Sequence, residues 1–322
     1  MSSKKWIKLF FSIVIVSFIL SPVLYFKDME WKLLNDFDNS IVFFSDSIMK
    51  ASPSCEKNKE GIDDILRGKN IHKNIININH SAYSPIIYSA FIKNIKKSEL
   101  IIIPINMRSF SEEWIYNPQY QFYDKRILSE IINLDFHYLQ TQLNKIFDTS
   151  NKYNSMKILR NSNNIGTIHE LQKNTINIDF YCNDKKQKEL IKYKKELIKK
   201  FEYHYMYDLS INNKMFTYIS DIIDYSIKTN IKLLFYITPM NYALGEHLIG
   251  DRFKNKLNKN INILVEFLKV NKVDFMDLSH ILEHKNFTDT QHVCGHVNHV
   301  GRKNIANYLH KYIDNLISKN TI

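Results

Sequence analysis

Short apolar runs that end in polar turns recur along this chain and predict the strands of a parallel sheet. Residues 41–45, 74–79, 100–106, 231–237 and 273–278 carry mainly β-branched, aromatic and other apolar side chains, which is typical of buried strands. The first three runs are each followed by a turn and by residues that can begin a helix. Such repeated units indicate an α/β fold with helices on both faces of the sheet.

Apolar residues at helical spacing predict the covering helices and one insertion. Residues 86–95, 253–270 and 303–317 have this spacing. From about residue 112 to 230 the strand–turn–helix pattern is interrupted by further helix-like stretches, which we interpret as a helical insertion that covers the site. We therefore expect one α/β domain over residues 28–322, with this insertion at about 112–230.

An uncharged run at residues 9–26 predicts a membrane-spanning helix near the start of the chain. Its length approaches the roughly 20 residues that cross a bilayer. Lys4, Lys5 and Lys8 lie before the run, so the positive-inside rule places the amino terminus in the cytoplasm. The bulky residues 23–26 lack the small-residue pattern of a cleavage site, which favours a retained anchor over residues 1–27. The remaining domain is then expected outside the cytoplasm, tethered to the membrane.

The net charge and the cysteines bear on two further questions, nucleic-acid binding and disulfide formation. The net charge is +11, but the lysines are spread over predicted helices and mixed with glutamates, which is typical of solvated faces. We therefore expect no nucleic acid as a partner. Cys55, Cys182 and Cys294 match no paired metal spacing. They allow one disulfide bond outside the cytoplasm, and the sequence leaves the pair open.

Polar residues follow the first three predicted strands and would meet at one edge of the sheet. Asp46 and Ser47 follow the first strand, Ser81 the second and Asn106 the third. Open α/β folds bind their ligands at the carboxyl edge of the strands. A serine lifted out of a strand–helix turn is also the arrangement of a serine nucleophile. Each of these residues could instead be a simple turn or helix cap.

The loop before the last predicted helix adds the other groups that serine chemistry requires. Serine catalysis needs a base, a group that orients the base, and donors to the oxyanion. We predict Ser47 as nucleophile, His292 as base, Asp289 as orienting carboxylate, and Ser81 and Asn106 as the positions of the oxyanion donors. His296 is an alternative base, and His292 is preferred because an aspartate lies three residues before it. The histidines of this loop match no common zinc spacing, so we expect no metal.

These blocks, in this order, resemble the SGNH/GDSL hydrolases. Ser45-Asp46-Ser47 resembles the first block of that family, usually Gly-Asp-Ser; Asn106 matches the asparagine block, and Asp289-x-x-His292 matches the carboxyl-terminal Asp-x-x-His. The resemblance extends from residue 39 to the end of the chain. It implies a three-layer α/β/α sandwich with a flavodoxin-like, parallel five-stranded sheet. The stretches after Asn106 and around Thr238 look like membrane-anchored bacterial branches, some of which act in acylation of cell-surface polymers.

The resemblance implies a membrane-tethered serine esterase or O-acyltransferase that forms an acyl-serine intermediate. Its expected substrates are acyl esters of cell-envelope carbohydrate, with a membrane-bound acyltransferase as a further candidate partner and no cofactor. Two departures favour an alternative. Ser45 stands where the family has glycine, and no glycine occurs between His80 and Pro85. A catalytically inactive scaffold that binds a glycan or an acyltransferase is therefore the second hypothesis.

Overall fold

The computed structural model describes six stretches of the chain: residues 37–52, 55–69, 73–80, 83–111, 197–288 and 295–318, together with Ser12. The predicted anchor lies outside these residues apart from Ser12, and so does the part of the predicted insertion between residues 112 and 196. In the stretches that the structure describes, no helix combines the length and the apolar character that a membrane crossing requires. The anchor and the domain boundaries stay predictions.

A parallel five-stranded sheet forms the centre of the domain, in the strand order β2–β1–β3–β4–β5. The bounds are β1 Ser40–Ser45, β2 Asn74–Asn79, β3 Leu100–Ile105, β4 Lys232–Ile237 and β5 Asp274–Asp277. The sequence-based prediction of five parallel strands is confirmed. β1 is an interior strand between β2, which forms one side of the sheet, and β3, and the turn after it lies at the carboxyl edge.

Helices flank the sheet on both faces, as the apolar spacing predicts. They are α1 Ile62–Arg67, α2 Pro85–Phe91, α3 Lys214–Thr229, α4 Tyr242–Ile249, α5 Asp251–Val270 and α6 His299–Ser318, and residues 197–205 are also helical. α1 packs with α6, and α2 packs with α3. α3 falls within the predicted insertion, yet it contacts α2 and β4, as expected for the helix of the β3–β4 crossover.

Alternating side chains divide the interior into two cores, one on each face of the sheet. Along β1, Val42 and Phe44 pack into the larger core, whereas Ile41 and Phe43 pack into the smaller one. This follows from the geometry of a strand, in which successive side chains point to opposite faces. The larger core includes residues of α2, α3, α4 and α5, and the smaller one includes residues of α1 and α6. The result is the expected three-layer sandwich.

Candidate active site

The turn after β1 presents Ser47 at the carboxyl edge of the sheet. Asp46 caps a single 3₁₀ turn, Ser47–Met49, because its Oδ1 accepts a hydrogen bond from Ile48 N at 2.9 Å. This cap stops the strand and begins the turn at the residue before the serine. Asp46 is buried, whereas Ser47 is half-buried. The backbone therefore holds Ser47 in a fixed place while its hydroxyl faces the edge of the sheet.

Ser45, which departs from the family pattern, is bonded to the neighbouring strand. Its Oγ donates to Asn77 Oδ1 at 2.9 Å, and Asn77 Nδ2 donates to Asp63 Oδ2 at 2.9 Å. Asp63 is completely buried and forms ion pairs with Lys50 at 3.1 Å and Arg67 at 3.2 Å. Since Lys50 directly follows the 3₁₀ turn, this network ties both sides of the Ser47 turn to β2 and α1. The serine at position 45 thus has a structural role of its own.

His296 lies against Ser47. The distance between His296 Nε2 and Ser47 Oγ is 2.8 Å, although 249 residues separate them along the chain. This is hydrogen-bonding distance for a nucleophile and its base. The His296 carbonyl accepts from Thr288 N at 3.0 Å, and the adjacent Val297 forms an antiparallel bridge with Phe287. The backbone on both sides of the ring is therefore anchored.

Two glycines shape the loop that carries His296. Gly295 has a φ of +70°, a conformation that side chains with a Cβ rarely adopt, although a Cβ there would meet only ordinary contacts. At Gly301, in the first turn of α6, the absence of a Cβ is required for a different reason. A Cβ at Gly301 would lie 2.8 Å from Val297 Cβ. The first glycine permits the bend before His296, and the second permits α6 to approach the segment after it.

Asn106 extends the site from the end of β3. Its Oδ1 accepts from Arg108 N at 3.1 Å and from Arg108 Nε at 3.4 Å. Both donors fix the oxygen side of the amide, so Nδ2 points the other way and donates to Asp46 Oδ2 at 3.4 Å. The second N–H of this amide has no partner among the described residues. The amide of Asn106 thus lies beside the Ser47 turn with a donor to spare, as an oxyanion donor requires.

Besides its polar partners, Asp46 has two buried tyrosines nearby. Tyr88 and Tyr236 are both buried near this carboxylate. Burial and, to a smaller extent, the charge of Asp46 raise the pKa of each phenol well above its ordinary value. Both phenols therefore stay neutral at physiological pH. Ser47 and His296 supply a hydroxyl and an imidazole within hydrogen-bonding distance of each other.

The structure brings three of the candidate residues together and leaves three outside the described part. Ser47, Asn106 and His296 converge at the carboxyl edge. Ser81, Asp289 and His292 lie outside the described residues. His296 was the alternative base, since the Asp-x-x-His spacing favours His292. In the described stretches, no group of three or more histidine, cysteine or acidic side chains could hold a metal ion.

The sequence patterns did not predict that Cys55 forms a disulfide bond or that two charged residues are buried. Cys55 is in a disulfide bond, and the chain's two other cysteines lie outside the described residues. Asp63 and Arg302 are completely buried, although charged residues on predicted helices are usually exposed. Helical spacing alone could have suggested Arg302, because it lies one turn before Ile305 and Ala306, which are in the smaller core.

Comparison with known proteins gives likenesses of overall structure only. No family model and no curated protein sequence matches the chain. Among solved structures, it is similar to a carbohydrate acetylesterase family member from Sinorhizobium meliloti, with 7% identity over 87% of this chain and 99% of that one and a TM-score of 0.38. It is also similar to an aryl esterase from M. smegmatis, with 11% identity over 86% and 99% of the two chains and a TM-score of 0.37.

An acetylxylan esterase from Geobacillus stearothermophilus is a third similar structure, with 8% identity over 85% of this chain and 94% of that one and a TM-score of 0.38. All three of these similar proteins are esterases. Identities and TM-scores this low add no weight to a functional conclusion. The chemistry is therefore inferred from the residues of this chain.

Proposed function

We propose that this protein is a serine esterase or O-acyltransferase that forms an acyl-Ser47 intermediate with His296 as the base. The observation that carries the proposal is the 2.8 Å contact between Ser47 Oγ and His296 Nε2 at the carboxyl edge of a parallel sheet. A hydroxyl alone is a weak nucleophile, and an adjacent imidazole activates it by accepting its proton. Asn106 supplies a preorganised donor next to the same turn.

The proposed reaction has two halves. His296 Nε2 takes the proton from Ser47 Oγ as the oxygen attacks the ester carbonyl carbon, and the Asn106 amide donates to the developing oxyanion. When the carbonyl re-forms, the ester C–O bond breaks and the protonated His296 gives its proton to the leaving alkoxide. In the second half, water or a sugar hydroxyl gives a proton to His296 and attacks the acyl group. Ser47 then leaves and recovers its proton.

The proposed substrate and location rest on the predicted anchor and on the Cys55 disulfide rather than on the site. The predicted anchor at residues 1–27 would tether the domain outside the cytoplasm, next to cell-envelope carbohydrate. The disulfide bond of Cys55 supports this location, because disulfides persist mainly in oxidising compartments. Acyl esters of envelope carbohydrate are therefore the proposed substrates, and a membrane-bound acyltransferase is the proposed protein partner.

Covalent labelling with a fluorophosphonate tests the nucleophile and the base separately. The full chain in detergent should be labelled at Ser47, as located by mass spectrometry, and Ser47→Ala should abolish the label. His296→Asn should slow labelling by about 10²- to 10⁴-fold, the usual contribution of a general base. His299→Asn, which changes a neighbouring histidine on α6, is the matched control and should be labelled at nearly the wild-type rate.

His292→Asn separates the two candidate bases. Unchanged labelling of this variant, together with slow labelling of His296→Asn, supports His296. The reverse result would assign the role to His292. Absence of label from the wild-type chain would reject the acyl-serine mechanism and favour the inactive scaffold, which binds glycan or acyltransferase without needing Ser47.

A further inference from the structure

Arg302 is a buried cation that lies between the segments of the nucleophile and the base. It is located in the first turn of α6 and has no solvent exposure. Its guanidinium makes five contacts with hydrogen-bond acceptors. Nε donates to Glu60 O at 2.7 Å, and Nη1 donates to Val297 O at 2.8 Å and to Ala51 O at 3.4 Å. Nη2 donates to Glu56 Oε2 and to Asn58 O, both at 2.9 Å. A guanidinium has five N–H donors, so its bonding capacity is used in full.

Two of these acceptors belong to the catalytic segments themselves. Val297 directly follows His296, so the bond from Nη1 holds the peptide next to the base. Ala51 lies four residues after Ser47, and Ala51 N donates to the Ser47 carbonyl at 2.8 Å. The same Nη1 that contacts Val297 O also contacts Ala51 O. A continuous path of hydrogen bonds therefore runs from the backbone of Ser47 through Arg302 to the backbone beside His296.

Glu56 completes this arrangement by neutralising Arg302. The two form an ion pair at 2.9 Å, with side-chain exposures of 0% for Arg302 and 7% for Glu56. The other oxygen of Glu56 accepts from His299 N at the start of α6. Loss of either partner would leave a buried charge uncompensated. The loop of residues 51–60 is thus fixed to the beginning of the helix that follows His296.

We propose that Arg302 is a positioning residue that sets the distance between Ser47 and His296. The inference rests on the proposed esterase or acyltransferase activity and extends it to a residue that touches no substrate. Its physical reason is the steep dependence of proton transfer on geometry, since a misplacement of about 1 Å can cost about 10²-fold in rate. A guanidinium can hold both carbonyls at once, whereas a lysine ammonium has three donors on a flexible stem.

Arg302→Lys and Arg302→Met test the proposal in the full chain. We expect Arg302→Lys to lower the rate of fluorophosphonate labelling and the kcat for an aryl acetate by about 10- to 100-fold, with little change in KM. Arg302→Met should lower both rates further, so lysine gives partial rescue. Arg252→Lys is the matched control, because Arg252 is 63% exposed on α5 and pairs only with Glu202 among the described residues. It should behave as wild type.

Stability must be separated from positioning in these variants. Rates are measured well below each variant's Tm and divided by the folded fraction from circular dichroism, so a purely structural role would leave them unchanged. Glu56→Gln is a milder second variant if Arg302→Met fails to fold, since glutamine keeps one oxygen for Nη2. Folded Arg302→Lys and Glu56→Gln with wild-type rates would overturn the proposal.

An NMR measurement tests the role of Arg302 without relying on catalysis. In ¹⁵N-histidine-labelled protein, Ser47→Ala should shift the Nε2 resonance of His296, because it removes the contact at 2.8 Å. In an Arg302→Lys background the same substitution should shift it much less. If the wild-type chain is not labelled by fluorophosphonate, the proposed function fails, yet this measurement still decides whether Arg302 sets the contact. An equal shift in both backgrounds would reject that role.

Discussion

The two faces of the sheet are stabilised in different ways. The larger core, with α2 to α5, is a continuous set of apolar contacts that includes Phe216 and Leu264. The smaller core, with α1 and α6, is accompanied by the completely buried charges of Asp63 and Arg302. Asp63 is tied to the turn of Ser47, and Arg302 to the segment of His296.

This difference suggests that one face mainly stabilises the fold, whereas the other also fixes the positions of Ser47 and His296. The free energy gained by burying apolar surface is proportional to the buried area and does not depend on direction. The larger core can therefore stabilise the fold without fixing the positions of single atoms. Hydrogen bonds to buried charges are short and directional, and they constrain the groups that they join. We therefore expect changes in the larger core to affect the free energy of unfolding, and changes among the buried charges to affect the chemistry as well.

The largest expected change in stability is that of Leu264→Ala. Leu264 has no solvent exposure and lies on α5, about 20 Å along the helix from its start at the carboxyl edge, given a rise of about 1.5 Å per residue. The cavity should lower the free energy of unfolding by about 2–5 kcal/mol. The labelling rate of folded molecules should stay at the wild-type value. Chemical denaturation and labelling of the same sample measure the two quantities.

Val270→Ala is the matched control on the same helix. Val270 is 77% exposed, so its free energy of unfolding should change by less than about 0.5 kcal/mol. A folded Leu264→Ala protein with a strongly reduced labelling rate would contradict the separation of the two faces.

Loss of the Cys55 disulfide should have the next largest effect. Cys55 adjoins Glu56 in the loop that Arg302 holds. Removing a native disulfide usually costs about 2–4 kcal/mol, so Cys55→Ser and reduced wild-type protein should both unfold at lower denaturant concentration. Reducing agent should not destabilise Cys55→Ser further.

Thiol titration checks the same bond. The disulfide uses two of the three cysteines, so the unreduced, denatured chain should show one reactive thiol. Three reactive thiols, or equal stability of reduced and oxidised protein, would exclude a stabilising disulfide at Cys55.

Asp63→Asn tests the network below the Ser47 turn. Asparagine can still accept from Asn77, but it loses the attraction of Lys50 and Arg67, whose side chains are 44% and 42% exposed. Since solvent offsets much of that loss, we expect a cost of about 1–2 kcal/mol. Ser47 labelling should also slow, because Lys50 follows the turn.

Asp64→Asn on the same helix is the control for this change. Asp64 is 42% exposed and also pairs with Arg67. Asparagine keeps an oxygen that can accept from Gly61 N, as Asp64 Oδ2 does at 3.0 Å, so this change should alter stability by less than about 0.5 kcal/mol. Labelling of Ser47 that is equally fast in Asp63→Asn and Asp64→Asn would show that the buried carboxylate does not constrain the turn.

The smallest effect concerns His280, which stacks on Tyr242 with 3.7 Å between the ring centroids. Partial burial lowers the pKa of His280 below its ordinary value. The unfolded chain therefore takes up this proton first as the pH falls, so the stability of the folded state decreases below about pH 6.5, the ordinary value for histidine. Between pH 7 and 5.5, the free energy of unfolding of His280→Gln should therefore fall slightly less than that of the wild-type chain. Identical pH profiles would refute this contribution.

The framework of the fold could be predicted from the sequence because its signals are local. Strand bounds agree with the apolar runs to within one residue, and Asp46 ends β1 where the polar turn begins. The histidine that contacts Ser47 could not be predicted in this way. Asp-x-x-His spacing favours His292, whereas the position of His296 depends on Gly295, Gly301 and α6, which act only once the chain has folded.

The buried charges escaped prediction for a related reason. Asp63 and Arg302 lie on short or terminal helical turns where charged residues are normally solvated. Their burial depends on acceptors that are remote in sequence, such as Asn77 for Asp63 and Ala51 for Arg302. No local pattern reports such partners, although helical spacing does place Arg302 on the buried face of α6.

The separation of 249 residues between Ser47 and His296 has a consequence for biosynthesis. A ribosome makes Ser47 well before His296, and closing so long a loop is entropically costly until α6 has docked. Under the proposed mechanism, fragments released before His296 is made would carry an unactivated hydroxyl and would form no acyl-serine. The proposed acyl transfer would then begin only after translation has passed His296 and α6 is in place.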